Sequence, residues 1–320
     1  MADRQVLIFN PSNDMALAAD AEEYWPPKGI QRMETELAGL PVLWAEPDDP
    51  VVVWGWSRAL RNRLRRMGVS ELYLPSDEKL AMLRAFSSRE FCVDYSSGFY
   101  AHPQLKMVKP WLVENRMFFC HAIDELERAG VRYPYIVKSA WSSSGKGNVI
   151  VRDEEDAGKR HDRIRSIIGL NGASVDVFYN KVLDFAMEFR VMADRVEYLG
   201  LSVFEAAADG KYGCNYVASQ DKLARMIAET GVLDGVLDCV RAVHAELLAD
   251  CLRGKYEGVV GVDMMVVRET DCEGVRVHPC VELNLRMNMG VVALKVYEKF
   301  GDRYPRITLD VLKEILKELQ

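Results

Sequence analysis

Asp263, Glu282, Asn284 and Arg286 are the side chains of this 320-residue chain whose types and spacing best suit chemistry. Asp263 stands in the middle of an almost wholly apolar run, residues 259–267. A buried carboxylate is costly unless it is paired, hydrogen-bonded or bound to a cation. After a turn over residues 268–277, the run 279–287 alternates: Cys280, Glu282, Asn284 and Arg286 project one way, Val281, Leu283 and Leu285 the other. The apolar set is core. The polar set, with Asp263 on the neighbouring strand, offers hard oxygen ligands of the kind magnesium takes beside nucleotide phosphates. Arg286 is placed to meet an anionic oxygen bidentately. A half-exposed antiparallel strand whose polar face meets water also alternates, but it would not account for the acid inside the preceding apolar run.

A second stretch, residues 133–152, reads YPYIVKSAWSSSGKGNVIVR. A short apolar run carrying Lys138 leads into a small polar turn, and a β-branched run leads out, so the expectation is strand, loop, strand. Gly145 and Gly147 let backbone amides approach a ligand closely, Ser142, Ser143 and Ser144 add hydroxyl donors, and Lys146 adds positive charge. Those residues suit a grip on polyphosphate, and they suit an ordinary Ser/Gly-rich hairpin tip equally well. The stretch is not a Walker A loop: the first glycine of that motif is absent, Gly147 follows Lys146, and no helix pattern comes after.

The elements that must position these groups belong to an ordinary soluble chain. Hydrophobic residues make up 49% and charged ones 28%, enough for two domains with real cores. A formal net charge of −7 argues against general nucleic-acid binding and toward a small ligand. Seven cysteines, odd in number and without a CxxC pair, suggest neither a disulfide framework nor a zinc site, and five histidines show no metal-binding spacing. Reduced thiols, no leader segment and no apolar run near ~18 residues lead to the expectation of a cytoplasmic protein without membrane contact.

In chain order, a strand at residues 6–9 and further short apolar runs at 41–44, 51–54 and 71–74 alternate with helical patterns at 31–40, 57–67 and 77–86. This predicts a small parallel βα domain. Asn10, Ser12, Asn13 and Asp14 follow its first strand, where open α/β sheets place ligands, although helix capping by Asn13 or Asp14 is the simpler expectation. Residues 86–110 read as an irregular connection. A helix over 120–129 with Gly130 as C-cap leads to the hairpin, and a charged helix over 152–168 follows it. Strands are expected at 175–182 and 188–203 with a bend at 183–187, then a glycine-bearing polar insertion at 210–219 and a long helix at 231–251. A helix at 308–319, capped by Thr308, ends the chain.

A phosphate-gripping hairpin, a bent strand pair and then D…ExNxR, in that order, resemble the ATP-grasp superfamily over residues 133–290. The resemblance implies an α/β (α+β) fold: an N-terminal Rossmann-like pre-ATP-grasp domain (1–110), then a small subdomain with the phosphate loop (111–178) and a large subdomain with the adenine and metal sites (179–320), clasping the nucleotide. Lys138 is similar to the family's strand lysine that contacts the phosphates, and residues 142–147 to its phosphate-covering loop, though serine-rich here. Residues 179–189, YNKVLDFAMEF, look like the interdomain strand and adenine pocket, so Asn180, Lys181, Val182 and Leu183 would line the adenine. Many members have an acid where Asn180 stands. Glu188 matches the acid that often starts the next strand. Asp263, Glu282 and Asn284 match the metal ligands, and Arg286 the arginine beside the reacting group. For the family's earlier nucleotide-binding lysine the candidates are Arg89, Lys106 and Lys109, Arg89 first. The implied activity is an ATP- and magnesium-dependent ligase, with manganese as a substitute ion, joining a small-molecule carboxylate to an amine or similar nucleophile. A kinase of a small hydroxylated substrate and a nucleotide-binding module without chemistry are the alternatives.

Overall fold

The computed structural model describes residues 5–142, 147–206, 212–268 and 274–319. The N-terminal part holds β1 (Val6–Ile8), α1 (Asn13–Ala19), α2 (Lys28–Glu36), β2 (Val51–Val53), α3 (Arg58–Arg66), α4 (Asp77–Phe86) and α5 (Arg89–Ala101). β1 and β2 pair in parallel, with Val6 opposite Val51. The apolar runs expected as strands at 41–44 and 71–74 are instead short 3-10 turns, Leu40–Leu43 and Glu71–Tyr73. Pro41 sits at the start of the first, where its fixed φ suits a helical turn and its missing amide would weaken a ladder. The region expected as a connection is largely α5. Ser88 caps it by accepting from the amide of Phe91, and Cys92, Val93, Tyr95 and Phe99 are buried along it.

A four-stranded antiparallel sheet follows, ordered β3 (Phe118–Cys120), β6 (Ala173–Val177), β4 (Tyr135–Ser139), β5 (Asn148–Val151). α6 (Ile123–Ala129), ended by Gly130 at φ 58°, and α7 (Glu154–Asn171), capped by Asp153, share a core with it.

The six-stranded sheet runs β11 (Arg276–Asn284), β10 (Gly258–Val267), β7 (Lys181–Val191), β8 (Val196–Ala206), β9 (Tyr212–Tyr216), β12 (Arg306–Ile307). The bend expected at 183–187 is absent: β7 pairs with β10 through that stretch, and the chain reverses instead near Met192, whose amide bonds the carbonyl of Arg195. Part of the expected insertion is β9. α8 (Gln220–Ala228), α9 (Val236–Leu252), α10 (Met289–Phe300) and α11 (Leu309–Glu318) complete the chain, α11 opened by Thr308 accepting from the amide of Val311.

Two large apolar clusters lie against this sheet. One joins Phe185, Phe189, Val260 and Val262 of the sheet to α5, α8 and α9. The other joins Phe9, Leu37, Leu40 and Trp54 of the N-terminal part to Val292 and Val296 of α10 and Leu312 and Ile315 of α11. The N-terminal part therefore packs directly against the carboxyl-terminal helices, which brings its β1 loop to the polar end of β11. The six described cysteines are free. Among the described residues no helix is long and apolar enough to cross a membrane.

Candidate active site

Asp263 and Glu282 face each other across the β10–β11 ladder, and Asn284 stands opposite Gly261 two residues along. All three, with Arg286, Glu188 and Ser142, line one cavity of about 310 Å3. Phe9, Pro11, Met33 and Trp54 supply its wall from the N-terminal part. Burial pushes the Asp263 carboxyl well above its ordinary range, with the charges of Glu282 and Glu188 adding to the effect, while Arg286 and the Asn284 amide pull the other way. Two carboxylates held against each other in this manner are relieved by a divalent cation. No group of three or more His, Cys, Asp or Glu side chains able to hold a metal is found among the described residues. The donor set is thus two carboxylates and an amide oxygen. That fits magnesium, which binds through one or two protein carboxylates and completes its shell with substrate phosphate and water.

Both arginines of the site are held by ion pairs. The Arg89 guanidinium lies 2.8 Å from Glu282 Oε2 and 3.4 Å from the carbonyl of Ser139, so it ties the end of β4 to the polar face of β11. Of the basic candidates upstream, Arg89 is the one brought into the site; Lys106 and Lys109 lie exposed in 3-10 turns. Arg286 grips Asp14 of α1, with Nε at 2.9 and 3.0 Å from the two carboxylate oxygens and Nη2 at 2.7 Å from Oδ2. Asp14 therefore orients the arginine. Capping of α1 by Asn13 or Asp14 is not found: Ser12 holds the N-cap position, and its hydroxyl donates to Glu34.

Lys138 lies on β4, its residue only 9% exposed, with no hydrogen bond or ion pair among the described residues. It acts electrostatically on Asp176 and Asp184. Asp176 bonds His278 Nε2 at 3.0 Å, a buried link from the small sheet to β11; burial pushes its carboxyl up, but His278, the Lys138 charge and the Val177 amide together hold it below its ordinary range. Ser142 is buried, its hydroxyl without a hydrogen-bond partner among the described residues. Gly147 has φ 89°, and a Cβ there would lie 2.5 Å from Ser139 Oγ, so the hairpin needs glycine at that point. Ser143, Ser144, Gly145 and Lys146 lie outside the described residues.

Asn180 and the start of β7 stand apart from the cavity. Asn180, Lys181 and Val182 are exposed and Leu183 half-buried, and Lys181 pairs with Asp184. Lys181 is opposite Val267 of β10, four residues beyond Asp263, an interval of about 13 Å at ~3.3 Å per residue. A nucleotide in extended form spans such an interval.

Glu188 is not at the start of a strand. It sits inside β7 on the cavity floor, 1% exposed, accepting from Ser202 Oγ at 2.9 Å and Asn288 Nδ2 at 2.7 Å. Gly261 and Gly290 make room for it: a Cβ on Gly290 would come within 2.0 Å of its Oε1. Gly290→Ala is expected to cost at least about 2 kcal/mol by overpacking, read from urea denaturation. Burial pushes the Glu188 carboxyl up to about 7, against its hydrogen bonds to Asn288 and Ser202 and the charge of Arg286. A carboxyl raised above its unfolded value of 4.5 stabilises the fold fully below that pH and loses the contribution as pH rises to about 7. Glu188→Gln should therefore flatten the decline in stability across this window by on the order of 3 kcal/mol, comparing denaturation at about pH 5 and about pH 8.

Asn288, Ser202 and Asn215 are site residues that the sequence does not mark, and Asp14, one of the four polar residues noted after the first strand, reaches the site through Arg286. Asn215 of β9, 1% exposed, lines the same cavity, and its amide oxygen has no hydrogen-bond partner among the described residues.

No family model matches the sequence, and no curated protein does. Among solved structures the chain is similar to the biotin carboxylase of Campylobacter jejuni in a β-γ-ATP complex, at 12% identity over 91% of this chain and 58% of that one, with a TM-score of 0.51. It is also similar to the N5-carboxyaminoimidazole synthetase of Staphylococcus aureus complexed with ADP, at 11% identity over 92% and 79% and a TM-score of 0.48. The L-amino acid ligase of Bacillus licheniformis gives 16% over 81% and 55%, with a TM-score of 0.44. The chain thus spans little more than half of that biotin carboxylase, and at these identities the likeness is one of fold. The four-stranded and six-stranded antiparallel sheets with their helices and the overall similarity to biotin carboxylase agree: this chain has the ATP-grasp fold.

Proposed function

We propose that the protein is an ATP- and magnesium-dependent ligase that activates a small-molecule carboxylate as an acyl phosphate for attack by an amine or similar nucleophile. The observation that carries this reading is the single cavity where Asp263, Glu282 and Asn284 meet Arg286 and the phosphate-hairpin residue Ser142. The start of β7, including Asn180 to Leu183, would take the adenine. Asp263, Glu282 and Asn284 would hold magnesium, which when bound neutralises phosphate charge and orients the nucleotide.

The chain's own groups then account for the two steps. Lys138, buried in β4 and without an ion pair among the described residues, supplies a cation for the phosphate oxygens. A carboxylate oxygen of the substrate attacks the γ-phosphorus, the bond to the β-phosphate oxygen breaks, and ADP leaves. The amine next attacks the acyl carbon, inorganic phosphate leaves with the former carboxylate oxygen, and the nitrogen releases a proton to the departing phosphate or to water. Arg286, fixed by Asp14, donates to the oxyanion that forms at that carbon. Arg89 holds Glu282 in position.

Lys138→Met is expected to lower kcat/KM for ATP by about 10- to 100-fold, chiefly through weaker nucleotide binding, as checked by steady-state kinetics and nucleotide titration. The reading itself is tested by incubating the protein with ATP, magnesium and pools of carboxylates, with and without amines. Phosphate release that depends on both supports it. A phosphorylated product that accumulates without an amine would make the protein a kinase, and nucleotide binding without turnover would make it a binding module.

A further inference from the structure

The N-terminal part contains another cavity that the ligase reading leaves unused. It opens at the carboxyl end of β1, holds about 470 Å3, and is walled by Tyr24, Trp25, Glu34 and Arg63 among others. A small recess lined by Asn10, Ser12, Glu34 and Arg63 adjoins it. The carboxyl end of a parallel strand pair is where α/β sheets receive ligands.

The charges of this cavity are arranged unusually. α3 carries five arginines, and four of them are matched: Arg58 with Asp20 and Glu22, Arg61 with Asp77, Arg65 with Glu71, Arg66 with Glu23. The Arg63 guanidinium alone has neither ion pair nor hydrogen bond among the described residues, and Arg63 lines the cavity. Glu34 lines the same walls and feels the Arg63 charge, yet does not pair with it; its carboxylate accepts instead from Ser12 Oγ at 2.8 Å. Two opposite charges that share a cavity without meeting leave room for a ligand bearing the reverse pair: a carboxylate for the Arg63 fork, an ammonium for Glu34. Beside them the Trp25 indole is 75% exposed, and Tyr24 is half-buried. Such rings give an apolar side chain a flat surface to cover.

We propose that this cavity is a binding site for a small zwitterion of α-amino-acid type with an apolar or aromatic side chain. It is separate from the ligase cavity, with which it shares Phe9 but no charged residue. It is also close to it, since Ser12, which holds Glu34, precedes by two residues the Asp14 that holds Arg286.

The test is calorimetric titration of the full chain with each of the common L-α-amino acids, without nucleotide or magnesium. At least one should bind the wild type, at least tenfold more weakly to Arg63→Ala and to Glu34→Gln, and unchanged to Arg65→Ala, on the same helix but outside the cavity, and to Glu282→Gln in the ligase site. The des-amino acid of the same side chain should bind more weakly than the amino acid. Thermal melts identify any variant that is unfolded, and Arg63→Lys then takes the place of Arg63→Ala. Absence of binding by every amino acid overturns the proposal. So does binding that survives Arg63→Ala but is lost in Glu282→Gln, which would put the ligand in the other cavity, or equal affinity for the des-amino compound. Because no nucleotide is present, these outcomes are independent of whether the ligase reading stands.

Discussion

Glu282→Gln is expected to abolish turnover, lowering kcat by at least about 10^3-fold, the equivalent of several kcal/mol of transition-state stabilisation lost with the metal site. Glu282 has two duties in the proposed reading: it would serve beside Asp263, which it faces, as an oxygen ligand, and it neutralises Arg89, which is nearly buried. A glutamine keeps the size and an acceptor oxygen but not the charge. Arg89 would retain a hydrogen bond and lose its ion-pair partner, so the fold should survive with a loss of about 1–3 kcal/mol in urea denaturation. Activity and stability therefore separate in this variant. A Glu282→Gln protein that turned over at the normal rate would remove Glu282 from the metal site, and with it the assignment of Asp263 and Asn284.

Arg286→Ala should have the next largest effect, about 10^2- to 10^3-fold in kcat, as for loss of a single preorganised donor to a developing oxyanion. Asp14→Asn leaves Arg286 in place but removes the charge that fixes its fork, and a smaller loss of about tenfold in kcat is expected, with little change in KM for ATP. If Arg286 only joined the N-terminal part to the sheet, both variants would reduce stability and leave kcat intact. Denaturation midpoints measured beside the kinetics distinguish the two outcomes.

The placing of Asp263 and Glu282 was legible because strand alternation is a strong local signal and an acid within an apolar run needs a reason. The same signal was present at Glu188, inside LDFAMEFRV, and there the expectation of a bend obscured it. β7 runs straight through, and the carboxyl sits in a space that Gly261 and Gly290 leave open. α5 was missed for a different reason. Its buried positions 89, 92, 93, 95, 96 and 99 follow helical spacing, but Arg89 and Ser96 are among them, so hydrophobicity alone shows a broken pattern. Arg89 is buried because Glu282 neutralises it, and that pairing joins residues far apart in sequence. The Asp14–Arg286 pair spans 272 residues and has no local signature at all. Short apolar runs such as 41–44 were ambiguous between strand and turn, and the proline decided for the turn. The ATP-grasp fold was thus readable from the order of the motifs, whereas the contacts that orient its arginines depend on tertiary packing.

The central claim is that a carboxylate is activated by phosphorylation in the cavity shared by Asp263, Glu282 and Arg286. It is tested most directly by following oxygen. With a carboxylate substrate found in the pooled assay and labelled with 18O at its carboxyl group, the protein, ATP, magnesium and the amine should yield inorganic phosphate carrying one 18O atom per amide formed. Phosphate free of label, or phosphate retained on the product, would contradict the account.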